Sequence, residues 1–581
     1  LDQFEMKMGK SDLSVSGYVS DLPAIAHHTN KPVTVHLDIN SNLLDLAELT
    51  RFSLKDSTGI DEQIEKLRLG LSFKSSAKEF TESKYLPKGE FYVDSLHAQL
   101  KHYPHELHDF HVDLLVGEKD LKIKDFIGYI DKSDFHFNGW VHDYDFWMQN
   151  ELNGEVDFDL TLTSTALHLD DIFSYQGVNY VPKEYQHEEL DKLTLHVNSR
   201  MHYTKGGLDS FNIDLDKLDV KMHLHPMRFE NFKGHFHYED EHLMIQKFHG
   251  KMGRTIFGLD MNYYLGKDDS IKKRDNLLRL KANYIDFDQL SNFNLSAQNK
   301  DTINTAASAN TTKDVPTHAE AFNLYELPFT DMQFEVDIGH FIYHRIDLQH
   351  INTHIRSTQD HYIYIDTLDM DAAGGHFSIS GYFNGSDPKH IYFKPNLDIQ
   401  NVDLDKLLFK FENFGQDHLL SENIHGKLTS KITGKIRMYP DMVPDLDQSE
   451  IHMDVEILKG KLENYNPLLM LSDYMGDKDL TSVRFDTLTN HMDLTNGLLT
   501  IPNMTIESTL GHMDLSGTQD MNENMDYYFR IPWKLVRKGA KNKLFGTKKK
   551  DENIEDEIIE VDPNKKTKYI NLRIKGDKDG Y

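Results

Sequence analysis

A short motif recurs five times along the chain, and this recurrence constrains the fold more than any other feature. Its fullest copy, DFIGYIDKSDFHFNG at 125–139, joins two alternating segments through a turn. Alternation with period two is typical of a strand with one apolar and one polar face, so each copy predicts a β-hairpin. Motifs repeated this often are seldom catalytic. The five copies close on Gly17, Gly139, Met261, Gly381 and Gly517.

A second recurring element follows the hairpins and has helical spacing. Its apolar residues are three apart, which predicts a short helix. Asp45, Asp286 and Asp403 precede such segments and suit an N-cap, because a carboxylate accepts the free amide hydrogens of a first turn; His168 departs from this rule. The four segments are 43–52, 167–175, 285–293 and 402–411.

Together these elements predict a mainly β protein. We expect an elongated repeat array of antiparallel strands that forms a twisted β-groove, with one short helix in each repeat of about 120 residues. The polar segment 299–320 predicts a mobile loop, and 534–560 is a charged insertion. The predicted units are the end of a truncated repeat at 1–17, β-groove repeats at 18–139, 140–262 and 263–382, and a C-terminal region at 383–581.

One short helix cannot cover the apolar face of about six strands. We therefore expect that part of this face forms an open apolar trough. Two alternatives stay open: the faces pack on each other as a sandwich core, or the candidate residues lie under the helix of their repeat. The candidates are the same-face pairs Leu13 and Val15, Phe135 and Phe137, Phe257 and Leu259, Phe377 and Ile379, and Met513 and Leu515.

Composition excludes several functions. A formal net charge of -30 repels nucleic acid, and the absence of cysteine excludes disulfides and thiolate chemistry. No stretch approaches the roughly 20 apolar residues that cross a bilayer. The chain opens on Leu1 without a leader, so we expect that its beginning is missing.

The last third carries a family resemblance as well as periodicity. The region 425–533 resembles the C-terminal part of AsmA-like proteins of Bacteroidetes-type bacteria. The matching features are a GKL segment before a helix with Pro467 and Leu471, the run VRFDTLTNHMDLTNGLLTIP, the hairpin that closes on Gly517, and the strand MDYYFRIPW. The earlier repeats fit the upstream part of this AsmA/TamB-type family more loosely.

This resemblance implies a location and a function. Such proteins have an N-terminal inner-membrane helix, absent from this chain, and a periplasmic β-groove in Gram-negative bacteria. The family is implicated in moving phospholipid between the inner and outer membranes and in outer-membrane biogenesis. It implies phospholipid acyl chains as the ligand, with no cofactor and no catalytic motif. A structural or assembly factor that binds outer-membrane or other envelope proteins without lipid is the alternative.

Two further groups of residues suggest other contacts, with a membrane surface and with a metal ion. A basic run in the charged insertion predicts contact with a membrane surface, against the simpler interpretation of a solvated loop. The histidines His235, His237 and His242, and likewise His223 and His225, are more typical of a polar strand face than of a metal site. A metal hydrolase stays as a third class, but we predict no enzyme and no metal ligands. The membrane-contact candidates are Lys538, Lys541, Lys543, Lys548, Lys549 and Lys550.

Overall fold

The structure is a computed structural model, and its strands and helices divide between two compact units. The units are Leu1–Arg274 with Gln289–Ser308, and Asp275–Asp288 with Ala309–Tyr581. The residues that the structure describes are 2–50, 61–83, 86–103, 105–148, 153–205, 207–224, 227–267, 276–287, 325, 329–343, 346–410, 421–440, 443–465, 469, 479–521, 524–533, 558 and 567–576.

The first unit is built from strands that pair with their neighbours in sequence, and its described residues include four short helices between the strands. Apart from the small β10–β11 hairpin, the strands join one antiparallel sheet, and β9 pairs directly with β12. The strands are β1 Phe4–Met8, β2 Ser11–Val19, β3 Pro32–Asp45, β4 Gln63–Ser76, β5 Gly89–Leu100, β6 Glu106–Val116, β7 Asp120–Ile130, β8 Ser133–His142, β9 Gly154–His168, β10 Ser174–Tyr175, β11 Val178–Asn179, β12 Glu189–Thr204, β13 Gly207–Met222, β14 Arg228–Glu239, β15 His242–Met252 and β16 Thr255–Tyr264. The helices are α1 Leu22–Ala26, α2 Leu46–Thr50, α3 Ala77–Glu82 and α4 Leu169–Ile172, with 3-10 turns at Tyr144–Met148 and Lys183–Tyr185.

The second unit repeats this plan with one difference in direction. Its first two strands, β17 and β18 below, pair in parallel with the third, and every later pair is antiparallel. The strands are β17 Leu277–Ala282, β18 Ile285–Asp286, β19 Met332–Tyr343, β20 Ile346–Ser357, β21 Tyr362–Ala372, β22 Gly375–Asn384, β23 Tyr392–Asp403, β24 Ile424–Met438, β25 Pro444–Glu463, β26 Ser482–Thr495, β27 Leu498–Ser508, β28 Gly511–Asp520, β29 Met525–Pro532 and β30 Tyr569–Gly576. Within the described residues, Leu404–Lys410 forms the helix α5.

This architecture confirms the predicted fold class: a mainly β chain whose strands add one by one to an open, mostly antiparallel sheet. The expectation of one helix per repeat is wrong for 18–139, which holds α1, α2 and α3. The two extra helices pack together on Val33, through Ala24 and Ala77. Each of these helices has too few apolar residues to show helical periodicity in the sequence. Asp21 caps α1 by accepting a hydrogen bond from the N–H of Ala24 at 2.9 Å.

The predicted hairpins are confirmed, and four share one register. Ile123 lies opposite Gly139, and a β-bulge separates that pair from Phe126 opposite Phe137. The same pairing and bulge recur as Ile245 with Met261 and Phe248 with Leu259, as Ile365 with Gly381 and Leu368 with Ile379, and as Ile501 with Gly517 and Met504 with Leu515. The fifth hairpin is β1–β2, where Met6 lies opposite Leu13.

The closing glycine is a backbone requirement in three copies. Gly17, Gly139 and Gly381 have φ angles of +155°, +148° and +141°, which side chains other than glycine rarely adopt. A Cβ on Gly139 would also overlap the carbonyl oxygen of Asp159 on the next strand. Met261 does not have a positive φ, which is why a side chain is accepted there.

The Ser-Asp pair of the motif ties the hairpin to the strand that precedes the helix. Asp134 accepts hydrogen bonds from the N–H groups of Thr165 and Ala166, and the Ser133 hydroxyl accepts one from the N–H of His168 at 2.9 Å. In the first copy, Asp12 likewise accepts from the N–H groups of Asn42 and Leu43, and the Ser11 hydroxyl accepts from the N–H of Asp45.

The predicted helices at 43–52, 167–175 and 402–411 are confirmed, as α2, α4 and α5. Asp45 caps α2, accepting from the N–H groups of Ala47 and Glu48 at 3.0 and 3.3 Å, whereas His168 makes no side-chain cap bond. The carboxylate of Asp403 contacts the ammonium groups of Lys406 and Lys427, at 2.7 and 2.5 Å. At 285–293 only residues 285–287 are described: the short strand β18, followed by Phe287 in helical conformation. Among described residues, no helix has the length and apolar character to cross a membrane.

Candidate functional site

A row of apolar side chains crosses the first unit on one face of its sheet. Each member is the direct cross-strand partner of the next, and directly opposed side chains share a face. The row begins at Leu37 on β3 and ends at Phe232 on β14, so it spans ten consecutive paired strands. Its members are Leu37, Leu71, Val93, Val112, Phe126, Phe137, Leu162, Leu195, Leu218 and Phe232.

Most members of this row keep part of their side-chain surface exposed. Val112 and Phe232 are buried, with exposures of 3% and 4%, but the other eight members are only half-buried. A packed sandwich would bury the whole row, as it buries the facing positions of two sheets. The partial exposure of eight members therefore favours the open trough over a packed sandwich core for this row.

Clusters of aromatic rings widen the row at two places. Phe110 in the first cluster and Phe232 in the second are 122 residues apart in sequence. Phe110, Phe126, Phe135 and Phe137 form one cluster, with ring centroids 5.6–6.0 Å apart. Phe232, Phe236, Phe248 and Phe257 form the other, at 5.5–6.0 Å. The repeat therefore reproduces side-chain contacts as well as strands.

A glycine makes room for the ring in each aromatic cluster. Gly128 lies opposite Phe135, and a Cβ on Gly128 would be 3.0 Å from the ring of Phe110. Gly250 lies opposite Phe257, and its Cβ would be 2.5 Å from the ring of Phe232. The rings lie over bare backbone in both places, which explains the glycine inside these two first strands of the motif.

The second unit carries a comparable row with one polar member, Thr353. The row runs through directly paired residues from β17 to β26, and its members are Leu280, Val336, Thr353, Leu368, Ile379, Leu397, Ile432, Met453 and Met492. A shorter row crosses the last strands through Met504, Leu515, Phe529 and Leu572.

The ten sequence candidates fall into two environments. Phe135, Phe377 and Met513 are buried, at 7%, 6% and 5% exposure. Phe377 belongs to the core under α5. For this residue, the alternative of a position under the helix of its repeat is therefore the correct one. Leu13 packs beside Leu46 of α2 in the same way. Phe137, Ile379 and Leu515 lie in the rows, and the half-buried candidates are Leu13, Val15, Phe137, Phe257, Leu259, Ile379 and Leu515.

The opposite face of the sheet is polar and rich in histidine–carboxylate pairs. His136 and Asp125 approach to 2.6 Å across β8 and β7, and His235 and Asp214 to 2.6 Å across β14 and β13. Near the start of β6, a hydrogen bond to the backbone carbonyl of Asp131 raises the pKa of His108. The sheet therefore separates an apolar face from a charged, hydrated one.

Among the described residues, His235, His237 and His242 do not converge with other ligands on one point. His235 contacts Asp214, His237 contacts Asn212 at 2.7 Å, and His242 contacts the carbonyl of Asp240 at 3.0 Å. His223 does converge with Glu189 and Asp191, at 3.6 Å from Asp191, but Lys221 also lies 3.2 Å from that carboxylate. His225 lies outside the described residues.

The lysine candidates, the predicted mobile loop and the charged insertion lie almost entirely beyond the part of the chain that the structure describes. This holds for Lys538, Lys541, Lys543, Lys548, Lys549 and Lys550, for 299–320, and for 534–560 apart from residue 558. Membrane contact by these lysines stays a prediction.

Comparison with known proteins adds no identification. The resemblance to AsmA-like proteins stays a prediction from the sequence. No protein-family model, no curated protein and no solved structure matches the chain.

Proposed function

We propose that the apolar face of the sheet binds the acyl chains of phospholipids and that the protein carries phospholipid through the periplasm of a Gram-negative bacterium, between the inner and outer membranes. Such transfer supports outer-membrane biogenesis. The observation that supports the proposal is the row from Leu37 to Phe232, which is apolar on ten paired strands and mostly half-buried. A contiguous apolar surface of this kind typically marks a binding site.

The energetics favour such a surface for a lipid in transit. Each methylene moved into water costs about 0.8 kcal/mol, so a two-tailed lipid without a carrier faces a barrier of tens of kcal/mol. Paired strands are about 4.8 Å apart, so nine steps along the row cover roughly 43 Å. A tail that lies along the row exchanges water for side chains at every step, while the head group stays hydrated.

Transfer along such a face needs no covalent step. The half-buried row residues Phe137, Ile379 and Leu515 supply contact area, and the polar face keeps the carrier soluble between membranes. We propose no enzymatic activity. Attachment to the inner membrane through a preceding helix, and contact of the basic run at 534–550 with a membrane surface, complete the proposal.

Photo-crosslinking at adjacent positions of one strand tests the proposal. Phe137 and His136 are neighbours on β8 whose side chains point to opposite faces. A benzophenone amino acid is placed at each position in turn, and the cells are irradiated. We expect lipid adducts from position 137 and few from 136.

The alternative function gives a different product in the same experiment. An assembly factor for envelope proteins would yield protein adducts at 137 and no lipid. That result would overturn the proposal, as would equal lipid labelling at both positions. Mass spectrometry of the lipid extracted from protein purified without detergent gives an independent measurement.

A further inference from the structure

Three side chains on β25 and β26 converge on the polar face of the second unit. His452 lies directly opposite Asp493, and His491 lies opposite Asp454 one step along the same pair of strands. The Nδ1 of His452 is 2.6 Å from Oδ1 of Asp493, and the Nε2 of His491 is 3.4 Å from the same oxygen. Two imidazole nitrogens therefore face one carboxylate oxygen.

The remaining nitrogen of each ring contacts a second carboxylate. Nδ1 of His491 lies 2.7 Å from Asp454, and Nε2 of His452 lies 3.3 Å from Glu450. In metal sites, a ligating histidine almost always gives its other N–H to a carboxylate, carbonyl or water, which fixes the ring and raises its basicity. Both histidines have this arrangement, and the two rings are held nearly parallel, with an interplanar angle of 8°.

The spacing suits a small transition-metal ion. Zinc binds histidine nitrogen and carboxylate oxygen at about 2.0–2.2 Å, so neighbouring ligand atoms of a tetrahedral site are roughly 3.3 Å apart. The ligand atoms of His452, His491 and Asp493 all lie within 4.8 Å of one another, so small side-chain rotations bring them to that distance. Imidazole ligands favour zinc, copper or nickel over calcium or magnesium.

Two other groups of converging ligands among the described residues are weaker. In Glu189, Asp191 and His223, the ammonium group of Lys221 already lies 3.2 Å from Asp191. In His105, Asp131 and Asp171 there is one histidine, and Asp131 already accepts from the N–H of Glu106 at 2.8 Å.

We propose that His452, His491 and Asp493 bind a divalent transition-metal ion such as Zn²⁺, with water in the fourth position and with Asp454 and Glu450 orienting the two rings. The row residues Met453 and Met492 are sequence neighbours of these ligands and point to the opposite face. The metal site and the apolar face are therefore independent, and loss of metal leaves lipid binding intact.

Zinc titration of the full chain by isothermal calorimetry tests the site, after chelator treatment and dialysis. We expect His491→Gln and Asp493→Asn to remove one equivalent of bound zinc relative to the parent. Asp454→Asn is expected to lower the zinc affinity of this site by about 10- to 100-fold, because Asp454 orients His491. Cobalt substitution supplies a second readout, a visible absorption band that the two ligand variants lose.

The matched control is His235→Gln. His235 and His237 also form a nearly parallel pair, with ring centroids 6.5 Å apart as in His452 and His491, but they do not converge on a third ligand. Zinc binding unchanged in His491→Gln, or reduced equally in His235→Gln, overturns the proposal. Circular dichroism without metal verifies that each variant folds as the parent does.

Discussion

The carboxylate of Asp134 accepts a hydrogen bond from the backbone N–H of Ala166 at 2.8 Å, which joins the repeated hairpin to the strand that leads into α4. The same carboxylate accepts from Thr165 at 2.9 Å and from the Ser164 hydroxyl at 3.3 Å. Burial raises the pKa of Asp134, but the backbone N–H groups of Thr165 and Ala166 lower it more, so the net shift is downward. The Ser-Asp pair, which the first two copies of the motif share, therefore has a structural role.

Asp134→Asn is expected to lower the free energy of unfolding by about 1–3 kcal/mol at pH 7, because hydrogen bonds to a charged acceptor are lost. A carboxyl group whose pKa is lowered by folding contributes stability above its ordinary pKa of 3.8, and this contribution is lost as the pH falls through the folded value. Urea denaturation at pH 7 and at pH 3 measures both effects. The exposed Asp209 supplies the control, Asp209→Asn, and equal midpoints for the two variants would contradict the role of Asp134.

Gly139→Ala tests the closing position of the motif. The φ of +148° and the nearby carbonyl of Asp159 leave no place for a Cβ, so we expect a loss of at least about 2 kcal/mol in unfolding free energy. Gly258→Ala is the control, because the nearest heavy atom to a Cβ there is 3.9 Å away. Thermal melts of both variants make the comparison. If Gly139→Ala melts at the parent temperature, the backbone explanation of the motif is wrong.

A charge on the apolar row is expected to block lipid transfer. Phe137→Asp replaces a half-buried ring with a carboxylate, and losing the burial of one phenylalanine costs about 1.5–3 kcal/mol, or roughly 10- to 100-fold in transfer rate. Phe257→Asp is expected to act in the same way in the next repeat. Transfer of fluorescent phospholipid between vesicles measures the rate.

The control for this experiment is His136→Asp, which places the same charge on the polar face of the same strand. We expect near-parental transfer from it. A folded Phe137→Asp protein that transfers lipid at the parental rate would argue against a lining role for the row.

His108 is expected to make stability depend on pH. Its Nε2 contacts the carbonyl of Asp131 at 2.9 Å and its Nδ1 contacts Asp109 at 2.8 Å, and only the protonated ring can donate to both. These contacts raise the pKa of His108 above 6.5. The stability it contributes is complete below pH 6.5 and is lost as the pH rises through the folded value.

The measurement compares His108→Gln with the parent at two pH values. The difference in urea midpoint should be larger at pH 5.5 than at pH 9. Two-dimensional NMR of the ring protons reports the pKa directly, and a pKa at or below 6.5 would contradict the prediction.

Local pattern determined much of this fold. Period-two alternation and turn glycines specified the hairpins, and apolar spacing specified helices at 43–52, 167–175 and 402–411, because both signals lie within about ten residues of chain. The same local patterns did not predict the helices α1 and α3. Each is five or six residues long, and they are stabilised by contact with each other across a sequence gap of about 50 residues.

The sequence by itself determined which face of each strand is apolar, because alternation is a property of one strand. Only the tertiary structure decided which residues meet: Phe137 with Leu162, the ring of Phe110 over Gly128, and His452 with Asp493. Cross-strand register depends on bulges and on loops of varied length, so a shift of one residue reverses the faces. A continuous apolar row, like a convergence of ligands, is therefore a product of register and not of any single segment.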